Sequence, residues 1–275
     1  MAPFTIAVSS CALFRQDNSP GVAFPLIKAL KMVNQRLREM DPAVEEPFKI
    51  VLIATCNNMD DLKKRIDHYI CADLKIEIVR LEKPILKHLE EIKPVLFLST
   101  NEQNVREAIS AEYGAATMFQ RDYHEYRDEV LRVAFDGDGV LFSDESEKVY
   151  AEKGLEAFFQ NERDNEATPL ALGPLSEFFK ALEGLQKRHQ KIPIRTYLVT
   201  SRGSSSPGIR ALKTLQKNNL EINEAFFLSG APKGPVLKAI NPHIFFDDQM
   251  THVEGALQNG VICAHVPYGV KNKLE

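Results

Sequence analysis

Short β-branched apolar runs alternate with longer amphipathic ones along almost the whole chain, and this rhythm constrains the fold more than any other feature. The runs FTIAVSS (4–10), FKIVLIAT (48–55), KIEIVRL (75–81), VLFLST (95–100) and AATMFQ (115–120) have the length and near-continuous apolar character of buried strands. Between them, 23–40, 59–70, 84–92 and 101–110 place apolar residues at helical spacing. The stretch RDYHEYRDE (121–129) is charged and aromatic, without strand character, and reads as a connection between two units. Alternation then restarts. Strands are predicted at 131–136, 195–200, 224–230, 243–248 and 261–267, and helices at 145–163, 174–189, 208–218, 234–240 and 249–260. Strand–helix alternation of this kind implies an α/β fold, with parallel sheets covered on both faces. The expectation is two Rossmann-like, doubly wound units, 1–128 and 129–275, the second carrying a helical cap insert at about 143–172.

The two halves also resemble each other. TIAVSSCALF lies over RVAFDGDGVLF, and GVAFPLIKALKMVNQRL over GPLSEFFKALEGLQKRH. IVLIATCNN lies over TYLVTSRGS, and the segment after Lys83 over the segment after Lys233. Four matched blocks in one order suggest an internal duplication. The differences carry the information. Asp136, Asp138, Asp247 and Asp248 of the second half stand where the first half has Ser9, Cys11, Ser99 and Thr100. Thr55 matches Thr200, and Lys83 matches Lys233. The chemistry is therefore expected in the second half. The acid-poor first half is left open as a scaffold, an effector site or a subunit interface.

In an open parallel sheet, ligands bind beyond the carboxyl ends of the strands. Four polar clusters fall at such ends: Asp136 and Asp138, Thr200 with Ser201, Lys233 in SGAPKGP, and Asp247 with Asp248. Acids converging on one point repel unless a cation lies among them, and Mg²⁺ suits oxygen ligands beside a phosphate. Asp136, Asp138, Asp247 and Asp248 form the expected metal set. Thr200, Ser201 and Lys233 are expected to hold phosphate. Asp136 is placed to attack phosphorus, giving an aspartyl-phosphate. Asp138, two residues on, is placed to protonate the leaving alkoxide and then to activate water. Ser143, Asp144 and Arg202 are candidates for the leaving group; a solvated helix start and a surface ion pair are their plainer readings. Phe158 and Phe159 either stack on a base or pack the insert onto its host. His252, four residues past Asp248, is not counted among the metal ligands, and His243 and His265 read as structural.

Other classes are excluded more simply. A formal net charge of −4 lacks the basic footprint of nucleic-acid binding. The four cysteines, Cys11, Cys56, Cys71 and Cys263, show no zinc spacing and read as reduced thiols. No signal peptide or membrane span is expected, so the chain is expected in the cytoplasm. GDGVLF lacks the third glycine of a dinucleotide fingerprint, and GSSSPG (203–208) lacks a Walker ending.

Taken in order, DGDGV, LVTSR, the lysine of GAPKGP and FFDD resemble the four motifs of the haloacid dehalogenase superfamily of phosphotransferases. AFDGDGVLFSDESE, PIRTYLVTSR, RALKTL, FFLSGAPKGPVLKAINPHIFFDDQMTHVEGA and AHVPYG narrow the resemblance to the cytosolic 5′-nucleotidase type I family, over nearly the whole chain. That resemblance implies Mg²⁺-dependent hydrolysis of nucleoside 5′-monophosphates, with AMP favoured. Asp136 would be the nucleophile and Asp138 the acid/base. Thr200 and Lys233 would hold phosphate, and Asp247 and Asp248 the metal. A nucleotide effector and a homo-oligomer are compatible with it. The alternatives are a superfamily phosphatase acting on another small phosphomonoester, and a nucleotide-binding regulator with vestigial hydrolysis. The chain departs from the family pattern between Phe14 and Gly21, where RQDNSP stands in place of an insert like 143–172.

Overall fold

The computed structural model describes residues 3–42, 44–55, 58–70, 76–122, 126, 129–189 and 191–272. Cys56, Cys71 and most of the middle of the 121–129 connection lie outside them. The first half runs β1 (Phe4–Ser9), α1 (Ser10–Leu13), α2 (Phe24–Met40), β2 (Phe48–Ala54), α3 (Met59–Ile70), β3 (Ile76–Arg80), α4 (Ile85–Ile92), β4 (Leu96–Ser99), α5 (Glu102–Ser110) and β5 (Ala115–Met118). The second runs β6 (Leu131–Phe135), α6 (Glu145–Asp164), α7 (Ser176–Arg188), β7 (Ile194–Thr200), α8 (Ser206–Lys217), β8 (Glu224–Phe227), α9 (Gly234–Ile240), β9 (Ile244–Asp247), α10 (Met250–Gln258) and β10 (Cys263–His265). These bounds match the predicted elements to within a few residues; the short α1 and a 3₁₀ turn at Val270–Asn272 are additions.

The fold is α/β with a mostly parallel sheet, as expected. Among the described residues, ten strands form one sheet in the order β3-β2-β1-β4-β5-β10-β9-β6-β7-β8. Within each half every pairing is parallel. The halves meet where β5 and β10 pair antiparallel, Met118 opposite Ala264 and Thr117 opposite His265. The carboxyl ends of β1, β2 and β4 therefore open on one rim of the sheet, and those of β6, β7 and β9 on the opposite rim. Each half repeats one strand order about its own first strand.

Near-continuous apolar strands need cover on both faces, and the helices supply it. On one face a single core crosses the junction: Leu26 and Leu30 of α2 share it with Phe178 and Phe179 of α7, over Val8 of β1 and Phe135 of β6. On the other face each half keeps its own cluster, around Phe97 in the first and Phe245 in the second. No helix among the described residues is long and apolar enough to cross a membrane.

Local details recur between the halves. Phe14 bridges to Pro20 as Phe142 bridges to Leu172. Gly21 N–H donates to the Leu13 carbonyl, and Gly173 N–H to that of Leu141, each at 2.8 Å. What separates these paired positions is the length of chain between them: a short connection in the first half, and a segment containing α6 in the second.

Candidate active site

Three strand ends build the site. Because β6 lies between β7 and β9, Asp136, Thr200 and Asp247 come to one rim. The Asp136 N–H donates to the Phe246 carbonyl at 2.8 Å, which pins the chain after β6 against β9. The turn that follows needs Gly139. Its φ is +72°, and a Cβ there would lie 2.6 Å from Asp248 Cγ. A side chain would thus be strained by conformation and would collide with a neighbouring acid.

Lys233, just ahead of α9, lies between the strand ends. Its Nζ is 2.8 Å from Asp136 Oδ2 and 2.7 Å from Asp247 Oδ2. Burial pulls this ammonium down, but the two carboxylates outweigh burial and hold it above the usual lysine value. Burial pushes Asp136 up to about 7, against the pull of Lys233. Burial would raise Asp247 too, but Lys233 and His252 outweigh it and hold Asp247 low. The remaining Asp136 oxygen accepts from Gly137 N–H at 2.6 Å.

Beside this pair the acids crowd. Both Asp248 oxygens and Glu147 Oε2 are buried, with no donor among the described residues other than each other's carboxyl. Burial, and then the carboxylates of Glu147, Asp136 and Asp247, push Asp248 up to about 11. Burial and Asp138 raise Glu147 likewise. Orphaned carboxylate oxygens under cover are costly, and a hard cation is the partner they suit. Asp136, Asp247 and His252 also offer ligand atoms within 4.8 Å of one another. The donor set therefore fits a metal ion.

Asp138 is held otherwise. Arg202 grips it with two parallel bonds, Nε to Oδ2 and Nη2 to Oδ1, each 2.7 Å. Arg202 is 4% exposed and also bonds Glu162, Ser146 Oγ and the Pro207 carbonyl. Its partners make it a buried fork rather than a surface ion pair. Arg210 completes the cluster, reaching Glu162 at 2.8 Å and Glu145 at 2.7 Å. The phosphate candidates lie close by: a Cβ on Gly137 would be 3.3 Å from Thr200 Oγ1, which accepts from Arg202 N–H at 3.2 Å, and the Ser201 carbonyl accepts from Gly230 N–H at 3.0 Å.

The candidates for the leaving group take local partners. Ser143 Oγ donates to Glu145 at 2.9 Å, and Asp144 pairs with Lys148 at 2.8 Å. Phe158 packs edge-on against Phe159 and lies under the Arg202 guanidinium, 5.8 Å from ring centroid to Cζ. Lys83, the counterpart of Lys233, instead meets Glu91 on the surface. Two residues went unassigned in the sequence, Glu147 and His252. His252 Nδ1 lies 3.2 Å from Asp247 Oδ1, and Gln249 bonds Glu147 at 2.6 Å, tying α6 to α10. Only the i+4 step from Asp248 hinted at His252; Glu147 arrives through the docking of α6.

A lysine bridging two carboxylates at strand ends, with buried acid oxygens alongside, is an arrangement chemically able to hold a cation and an oxyanion together. The 5′-nucleotidase family model matches residues 13–273, and the chain belongs to that family. It is similar to human cytosolic 5′-nucleotidase 1B, with 42% identity over an alignment 307 residues long, gaps included, covering 98% of this chain and 49% of that protein. The chain thus spans about half the length of that curated relative. The family match and this identity bear out the resemblance to the cytosolic 5′-nucleotidase type I family.

Proposed function

We propose that the chain is a cytoplasmic, Mg²⁺-dependent 5′-nucleotidase that hydrolyses nucleoside 5′-monophosphates to nucleoside and phosphate. The observation that carries this reading is Lys233 between Asp136 and Asp247, beside the buried oxygens of Asp248. The preference for AMP rests on the motif resemblance, and the cytoplasmic setting on the name of the human relative.

In this reading Asp136 attacks phosphorus. The bond from phosphorus to the ribose 5′ oxygen breaks as the aspartyl-phosphate forms. Lys233, Thr200 and Ser201 hold the phosphoryl oxygens. Asp138 gives a proton to the leaving oxygen, then takes one from the water that releases phosphate and frees Asp136. Arg202 occupies both Asp138 oxygens, so each proton transfer requires one of them to leave the fork. Asp136, Asp138, Asp247 and Asp248 are the residues that would hold Mg²⁺, with Glu147 and His252 beside them. When bound, the ion neutralises the charge of the phosphate.

The same reading covers the whole chain. The repeated strand order and the paired bridges support an internal duplication, with units 1–128 and 129–275. The segment 143–172 acts as the cap that selects the nucleoside, through Ser143, Asp144 and the residues around Phe158. The acid-poor unit serves as a scaffold open to a nucleotide effector or to a second subunit.

Turnover of AMP, other monophosphates and sugar phosphates with Mg²⁺ separates this from a phosphatase of different substrate. Asp136→Asn is expected to lower turnover by on the order of 10³-fold or more with the circular dichroism spectrum unchanged. Undiminished turnover in that variant removes the nucleophile assignment.

A further inference from the structure

The strand ends of the first half border open space of their own. A cavity of about 780 Å³ lies beyond β1 and β4, lined by Ser10, Cys11 and Thr100 and by three arginines, Arg15, Arg65 and Arg121. Its floor repeats the catalytic one. Ser10 follows β1 as Gly137 follows β6, and its hydroxyl lies 3.0 Å from Thr55 Oγ1, the counterpart of Thr200. Thr100 stands in place of Asp248.

The charge is reversed. Guanidinium groups face a pocket that has lost its carboxylates. Arg15 spends its terminal nitrogens on Asp122, at 2.8 Å, and on the Arg121 carbonyl. Arg65 spends one on Asp61. The Nε donors of Arg15 and Arg65 remain buried without a partner among the described residues. Arg121 is held in place through the carbonyls of Leu257 at 2.6 Å and Val261 at 3.1 Å. Asp122 is the only acid among the described lining residues, and it is 97% exposed and already paired. A pocket with unspent guanidinium donors and hydroxyls is chemistry for an anion with several acceptor oxygens, and the phosphoryl group fits it best.

We propose that this cavity binds the phosphoryl group of a small phosphate ester or diphosphate, without hydrolysing it. Arg15, Arg65 and Arg121 take the charge, and the Ser10 and Thr100 hydroxyls orient the oxygens. Hydrolysis is absent because Ser9 and Cys11 occupy the places of the nucleophile and the acid/base. Binding needs no divalent ion, since the cavity offers no unpaired carboxylate to hold one. The inference stands apart from the catalytic reading, and the two fail separately: one is tested by turnover, the other by binding without metal.

The test is equilibrium binding of pyrophosphate and of inorganic phosphate to the full chain in EDTA. One saturable pyrophosphate site per chain is expected. Arg15→Gln combined with Arg65→Gln should weaken it by at least about tenfold, the loss expected for charge-assisted hydrogen bonds. Lys233→Met should leave it unchanged. Pyrophosphate should also slow alkylation of Cys11 in the unaltered chain, followed by peptide mapping; this decides the matter if the double variant does not fold. Absence of saturable binding in EDTA overturns the proposal. So does binding indifferent to the arginine substitutions, or a Cys11 that pyrophosphate leaves unprotected.

Discussion

Asp248 keeps two carboxyl oxygens under cover and Glu147 one, with no donor among the described residues except each other. Unmatched buried polar atoms cost about 1–3 kcal/mol each, so a cation that partners them stabilises the folded chain. Added Mg²⁺ is expected to raise the thermal unfolding midpoint relative to EDTA, and Asp248→Asn to shrink that increment; equal increments in both proteins count against a metal at this residue. His88 is another buried group, with no hydrogen-bond partner among the described residues at either ring nitrogen. Burial, helped by Lys83, holds its pKa below 6.5. The folded ring stays neutral where the unfolded one takes up a proton, so stability falls as pH drops below about 6.5. His88→Leu is expected to be more stable by on the order of 1 kcal/mol at pH 8, and its advantage in urea unfolding to widen at pH 5. Single residues were unevenly legible from sequence. Asp136, Lys233 and Asp247 announce themselves because each ends a strand or opens a helix in a fixed order. Arg202 was legible as a candidate but its role as a buried fork was not, because its partners Asp138 and Glu162 are distant in sequence and meet it only through tertiary packing.

Among the elements, α6 departs most from an ordinary helix. The sequence reads as one polar helix over 145–163, yet the chain breaks at Gly154, with φ 82° and ψ −177° and open space where a Cβ would sit. Periodicity does not register such a break, because the polar pattern continues through it. What docks the element is buried charge. Glu162, fully buried on α6, meets Arg210 of α8 and Arg202 of the loop after β7, and Ser146 Oγ donates to it at 2.7 Å. Removing one partner from such a network leaves the others uncompensated. Glu162→Leu is therefore expected to lower stability by about 3–5 kcal/mol, measured by urea unfolding. A change below about 1 kcal/mol would place the cluster among weak surface pairs.

At the scale of the molecule, the element order was legible and the union of the two sheets was not. Apolar periodicity marks which residues are strands, but which edges meet is decided by backbone groups that every sequence shares. The β5–β10 ladder is short, yet the core beneath it, from α2 to α7, is continuous. Each half alone would expose both an open strand edge and the apolar face of that core. Residues 129–275 expressed alone are expected to aggregate or to lack turnover, and co-expression with 1–128 to restore a soluble complex; an active, monodisperse fragment would show that the halves are independent. The antiparallel seam has one further consequence. Because the two sets of strand ends look out to opposite sides, a molecule lodged on one side cannot physically occlude the other. Anything that binds beyond β1 and influences catalysis must therefore act through the sheet, by biasing the state of the far rim, and not by steric exclusion of substrate.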